Sequence, residues 1–227
     1  MKIDNQQESI LKGYNMLLYF AGSMITYETS EECIVDFWNN GNLKNLPVSS
    51  SNPNFQRAAL QLRDSYDSGQ LSGKNLKEDF LRLFSKTGTP LAPAYESQYK
   101  ADNENINNQK NGDVTEFYNS YGWVSKFRGK IEDDHLGVEI LFLTKLIDKY
   151  MKFDDTACSS EMRKEILRFL DNHILTWIKK WNQKVQENSE TLCFKGISTL
   201  LLACCEDLQS FFSKDVYGYR NYGEFKN

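Results

Sequence analysis

Glu132-Asp133-Asp134-His135-Leu136-Gly137-Val138-Glu139-Ile140-Leu141-Phe142-Leu143 is the stretch on which the fold reading turns. Three carboxylates stand directly ahead of an apolar run. Negative charge there complements the unpaired backbone N–H groups and the positive end of a helix dipole. The string therefore predicts a helix over residues 133–151. A helix start accounts for the acids. It does not account for His135, one of two histidines in the chain, or for Glu139, which returns one turn later on the same face.

The same helical spacing of apolar residues extends outward in both directions, and alternation of strand length is hard to find. The pattern predicts helices over 8–25, 30–39, 54–66, 76–85, 114–124, 133–151, 161–187 and 190–212. Thr29 with Glu32, and Asp113 with Glu116, place a capping oxygen three residues ahead of a carboxylate. Pro47, Pro53, Pro90 and Pro93 all fall outside helix interiors, where the missing N–H does no damage. The expectation is an all-α, single helical-bundle domain over 1–227. A polar, Asn-rich stretch, Ala101-Asp-Asn-Glu-Asn-Ile-Asn-Asn-Gln-Lys-Asn111, has little apolar surface to pack. It reads as a flexible hinge over 101–112, between an N-terminal half, 1–100, and a C-terminal half, 113–213, with a loose tail over 214–227.

The totals narrow the function classes. A chain of 227 residues with 40% hydrophobic residues can bury a full core. A net charge of -4 argues against sequence-independent nucleic-acid binding, which needs a concentrated basic face. Cys33, Cys158, Cys193, Cys204 and Cys205 form no CxxC pair and read as reduced thiols of a cytosolic protein. The amino terminus carries Asp4 and Glu8 where an export signal would be basic. No stretch approaches the ~18 apolar residues that span a bilayer. A cytoplasmic protein without membrane insertion is the expectation.

Several motifs have plain structural readings. Gly69-Gln-Leu-Ser-Gly73-Lys74-Asn75 falls short of a phosphate-binding loop and follows a helix, so it reads as a helix-to-helix turn. Glu132-x-x-His135 has the spacing of a di-iron carboxylate site, but Leu170 stands where His173 would need its glutamate. A mononuclear metal site on His135, Glu139 and His173 is the enzymatic reading, and the absence of closely spaced soft ligands weighs against it. Phe169, His173, Trp177 and Trp181 recur at steps of four, which makes His173 part of a packed stripe. Asp133, Asp134 and His135 have a helix cap as their plain reading.

A second segment points elsewhere. Phe80-Leu-Arg-Leu83-Phe84 ends an amphipathic helix, and the Gly/Pro-rich Gly88-Thr-Pro90-Leu-Ala-Pro93-Ala-Tyr95-Glu96-Ser97-Gln-Tyr99 follows it. Prolines hold such a loop extended. The arrangement is a ready wall for an apolar peptide, or an ordinary loop with Tyr95 and Tyr99 tucked on the core.

Together the two segments, with Phe117-Tyr118-Asn-Ser-Tyr121-Gly122-Trp123 between them, resemble the TorD-type chaperones, which include DmsD-like and NarJ-like groups. The resemblance covers about residues 76–205. Ala94-Tyr95 stands where many relatives have Pro-Trp, and Asp133 where several have proline or another small residue. The resemblance implies an all-helical cytoplasmic protein without catalytic activity or cofactor. Its partners would be the twin-arginine leader peptide and the apo-form of a molybdenum-containing oxidoreductase, and its state a monomer or a domain-swapped dimer. The implied peptide site is Phe80, Leu83, Phe84, Tyr95, Asp134 and His135, with Glu132, Asp133 and Glu139 nearby. Arginine pairs best with planar carboxylates, so Asp133, Asp134 and Glu132 would meet the arginines. Phe80, Leu83, Phe84 and Tyr95 would take the apolar segment, and His135 would orient a carboxylate or hold peptide backbone. The alternative within the family is an assembly factor that binds the catalytic subunit without a leader.

Overall fold

Caps and stops in the sequence divide the chain into helices, and the computed structural model shows them over residues 4–27, 46–67, 73–85, 88–100 and 113–213. Asp4 starts α1 (Asn5–Thr26) with a reciprocal capping box to Gln7. Pro53 opens α2 (Pro53–Asp67), at the position where its missing N–H does no harm. There follow α3 (Gly73–Phe84), the short α4 (Ser97–Lys100), α5 (Val114–Ser120) and α6 (Leu136–Met151). The described residues end in α7 (Thr156–Phe169), a π-helical turn (Leu170–Ile174), α8 (Ile178–Asn188) and α9 (Leu192–Ser213). The described residues contain no strand, and the all-α expectation holds. Of the turn expected at Gly69–Asn75, residues 69–72 lie outside the described residues, and 73–75 already belong to α3. The helix expected over 30–39, the hinge over 101–112 and the tail over 214–227 lie outside the described residues.

Two predicted helices are shorter or broken. The one expected over 114–124 stops at Ser120, because Gly122 adopts φ +59, a left-handed conformation that ends helices. The one expected over 161–187 is interrupted. The Leu175 N–H donates to the Leu170 carbonyl five residues back at 2.8 Å, which widens the turn. Trp177 then leaves helical geometry at φ -136 and buries its indole against Tyr99, ring centroids 5.3 Å apart. The stripe Phe169, His173, Trp177 and Trp181 is buried throughout.

One continuous core joins both ends of the described chain, from Leu11 to Phe212. Helix α9 lies along α2 and touches α1 and α8, and α1 crosses α6. Close approach sets both main crossings. A Cβ on Gly137 would overlap Thr26 Oγ1 and come within 3.1 Å of the Gly22 carbonyl. A Cβ on Gly196 would sit 2.7 Å from the Leu62 side chain. Helices pack this tightly only where a side chain is missing.

A single buried carboxylate fixes α3 to the α8–α9 turn. Asp79, 1% exposed, accepts from Ser189 Oγ at 2.8 Å, Thr191 N at 2.9 Å and Thr191 Oγ1 at 2.7 Å, and pairs with Arg82 at 2.8 Å. Burial opposes its charge, but the hydrogen bonds from Thr191, Arg82 and Ser189 outweigh burial and hold its carboxyl below the usual range. The stability this supplies is present above the unfolded-state value and is lost as pH falls through the lower folded value. Asp79→Ala should cost about 3 kcal/mol in urea unfolding at pH 7, because it strands buried donors. The gap to wild type should shrink when the same measurement is made below about pH 4.

Candidate functional site

The Gly/Pro loop is held at both ends by backbone. At its start, Leu91 and Ala92 donate to the Arg82 and Leu83 carbonyls of α3 at 3.1 and 3.0 Å. In its middle, Trp181 Nε1 donates to the Ala92 carbonyl at 3.2 Å, and Tyr99 OH donates to that of Pro93 at 2.9 Å. At its end, Leu136 N–H donates to the Ala94 carbonyl at 2.8 Å, and Glu96 N–H donates to that of Asp134 at 2.9 Å. These last two bonds form an antiparallel bridge between Tyr95 and His135. Their rings meet edge to face at 5.0 Å.

The acids sit differently from the sequence expectation. Helix α6 begins at Leu136, not at residue 133, so Asp133 and Asp134 lie in the preceding turn. His135 is the cap: its Nδ1 accepts from Gly137 N–H at 3.0 Å. A nitrogen that accepts carries no proton, so the neutral imidazole with its proton on Nε2 makes this cap. Asp134 caps the other element, its carboxylate accepting from Ser97 N–H of α4 at 3.1 Å. The two neighbours thus start two helices at one corner.

Outside this corner lies an open cleft of about 800 Å³. Its described lining holds the carboxylates of Glu96, Asp113, Glu132, Asp133 and Asp134 against the cations Lys100, Arg128 and Lys130, with Ile131 and Val114 as apolar wall. Five acids against three bases leave the lining net negative. Lys100 is already engaged, 2.6 Å from Glu96 Oε1. His173 Nδ1 stands 3.4 Å from the same carboxylate.

The nine residues singled out from sequence therefore separate into three groups. Glu132, Asp133 and Asp134 come together on the cleft, with the Tyr95–His135 bridge joined to them through the backbone. Phe80, Leu83 and Phe84 face the core: Leu83 and Phe84 are buried, and Phe84 packs on Phe194 and Trp181 at 5.4 and 6.2 Å. Only Phe80 in that group is partly exposed. Glu139 is 0% exposed. Sequence reading passed over Glu96, Lys100, Arg128 and Lys130. The signal for Glu96 was its place inside the aromatic string, four residues before a lysine. Among the described residues, no three His, Cys, Asp or Glu side chains converge as metal ligands would.

The model of one protein family, the nitrate reductase delta subunit, matches residues 50–183. The chain belongs to that family. The matched stretch runs from α2 through most of α8, so the family's shared part contains the loop, the bridge and the cleft. Three similar proteins carry the name chaperone protein TorD. That of Vibrio atlanticus is 29% identical over 134 residues, 58% of this chain and 61% of the relative. That of Vibrio parahaemolyticus is 25% identical over 131 residues, with the same two shares. That of Photobacterium profundum is 24% identical over 150 residues, 66% of this chain and 68% of the relative. The chain thus spans about 61% of the length of the first two relatives.

His135→Ala should cost about 1 kcal/mol of stability, the usual worth of a lost cap. His135→Asn, which keeps an acceptor in place, should recover most of that, and urea unfolding of the two variants side by side measures it.

Proposed function

We propose that this protein is a molecular chaperone of molybdoenzyme maturation, acting in the cytoplasm on the twin-arginine leader and the immature body of its client before export. The observation that carries the reading is the cleft: Glu132, Asp133 and Asp134 line one open volume beside the Gly/Pro loop, and the similar proteins are named chaperones. A leader of this kind presents two guanidinium groups followed by an apolar stretch. Carboxylates at the cleft would pair with the guanidinium groups, bidentately where geometry allows. The apolar stretch would lie along Ile131 and the Tyr95 side of the loop, whose shape Leu83 and Phe84 maintain from beneath. No described helix is long and apolar enough to cross a membrane.

The partly solvated acids would supply selectivity more than affinity. Neutralising two of them separates the roles, since Glu132 is exposed and Asp133 half-buried, and neither belongs to the core. In calorimetric titration, wild type should bind a synthetic twin-arginine leader at about micromolar Kd and prefer it to the twin-lysine counterpart. Glu132→Gln combined with Asp133→Asn should weaken arginine binding about tenfold and erase most of that preference. Wild-type binding to neither peptide would sink the leader reading and leave the client's folded body as the target.

A further inference from the structure

A carboxylate of the cleft already holds a cation, and that cation belongs to the chain itself. Lys100, the last residue of α4, places its Nζ 2.6 Å from Oε1 of Glu96. The two ends of this pair are held differently. The Glu96 side chain is 6% exposed, its backbone N–H donates to the Asp134 carbonyl, and the buried His173 lies 3.4 Å from its carboxylate. The Lys100 side chain is 27% exposed and ends a flexible stem on a helix of one turn. The acceptor is fixed, and the donor is free to swing out. A lysine four residues after a glutamate commonly just supports a helix. That role accounts for little here, because α4 is a single turn that Asp134 already caps, and Glu96 precedes it.

We propose that Lys100 is an internal stand-in for the client's arginine: in the unliganded protein its ammonium group occupies Glu96, and a guanidinium group of the leader displaces it. The proposal rests on the leader reading and adds the contact that a leader must break. Glu96 and Lys100 line the same cleft as Asp133 and Asp134, so a cation from either source meets the same carboxylates. Asp134 accepts the Ser97 N–H with one carboxylate oxygen, and its carbonyl accepts the Glu96 N–H, which brings two acids to one corner. A guanidinium group presents a planar fork of donors, whereas an ammonium group is a compact point charge. Exchanging the internal lysine for an arginine therefore gains hydrogen bonds, and exchanging it for another lysine gains almost nothing. Until a leader arrives, the pair also keeps a largely buried carboxylate from standing uncompensated. An internal competitor lowers the affinity of every cationic peptide by the same factor. Lys100 thereby sets the threshold that a leader must exceed, while the fork geometry ranks arginine above lysine.

Removing the stand-in should tighten binding. Lys100→Met keeps an apolar stem and deletes the ammonium group, which leaves Glu96 uncompensated in the free protein but not in the complex, where arginine takes over. The measurement is calorimetric titration of the full chain with a synthetic peptide carrying two adjacent arginines ahead of a leucine-rich stretch, and with its twin-lysine counterpart. Lys100→Met should bind each about tenfold more tightly than wild type does. Made beside Glu96→Gln, which keeps the shape of that side chain and removes its charge, the same substitution should change affinity by less than about twofold. Thermal unfolding gives an independent reading: Lys100→Met should lower Tm in the free protein, and saturating arginine peptide should bring it level with peptide-bound wild type. Equal or weaker binding by Lys100→Met overturns this inference and leaves the leader reading standing. Tightening that persists in full beside Glu96→Gln also overturns it, since Lys100 would then act through the general field of the cleft. Binding of the arginine peptide by neither wild type nor Lys100→Met overturns both.

Discussion

Two backbone hydrogen bonds, Leu136 to Ala94 and Glu96 to Asp134, tie the proline-held loop to the entry of α6, and the cleft exists because of them. The loop has no regular structure of its own and few ways to satisfy its peptide groups. Prolines at 90 and 93 remove two donors, so less of the loop needs pairing. What remains is anchored to α3 at one end, to α8 through an indole at Ala92, and to α6 at the other. Through this chain of contacts the buried aromatics Phe84, Trp181 and Phe194 bear on the position of acids that touch solvent.

The corner where α4 and α6 begin concentrates unpaired N–H groups, and the chain answers with side-chain acceptors from adjacent residues. Asp134 serves one helix and His135 the other. That division explains why an imidazole occurs amid acids: a further carboxylate at the α6 cap would have added its charge to those of Glu96 and Asp134. A neutral acceptor performs the capping without adding to the repulsion. The histidine thus caps a helix inside a charged neighbourhood.

Helix content, the cap at Asp113, and the burial of the stripe Phe169, His173, Trp177 and Trp181 were legible from spacing alone. The π turn at 170–174 was not, since a widened turn leaves apolar residues at almost the same intervals and only the depth demanded by Trp177 reveals it. The acids at 132–134 could be assigned to a helix entry but not to its outer side, because that boundary depends on Asp134 having a second helix to cap. Leu83 and Phe84 looked like a peptide wall since sequence pattern distinguishes apolar from polar and cannot distinguish a groove from a core. Asp79 escaped notice for a related reason: its partners Ser189 and Thr191 are more than a hundred residues away.

Helices α1 and α9 stand outside the stretch shared with the family model, 50–183, yet they complete the core on which that stretch rests. Leu62 packs on Gly196 of α9, and Ile140 on Gly22 of α1. Cutting the chain to its shared portion would lay bare the inner faces of α2 and α6 together, an apolar area that in water drives aggregation in place of folding. Kinship and autonomy of folding have different borders in this protein. The shared middle carries the likeness to the family, and its inner faces are covered by helices that the family model does not reach.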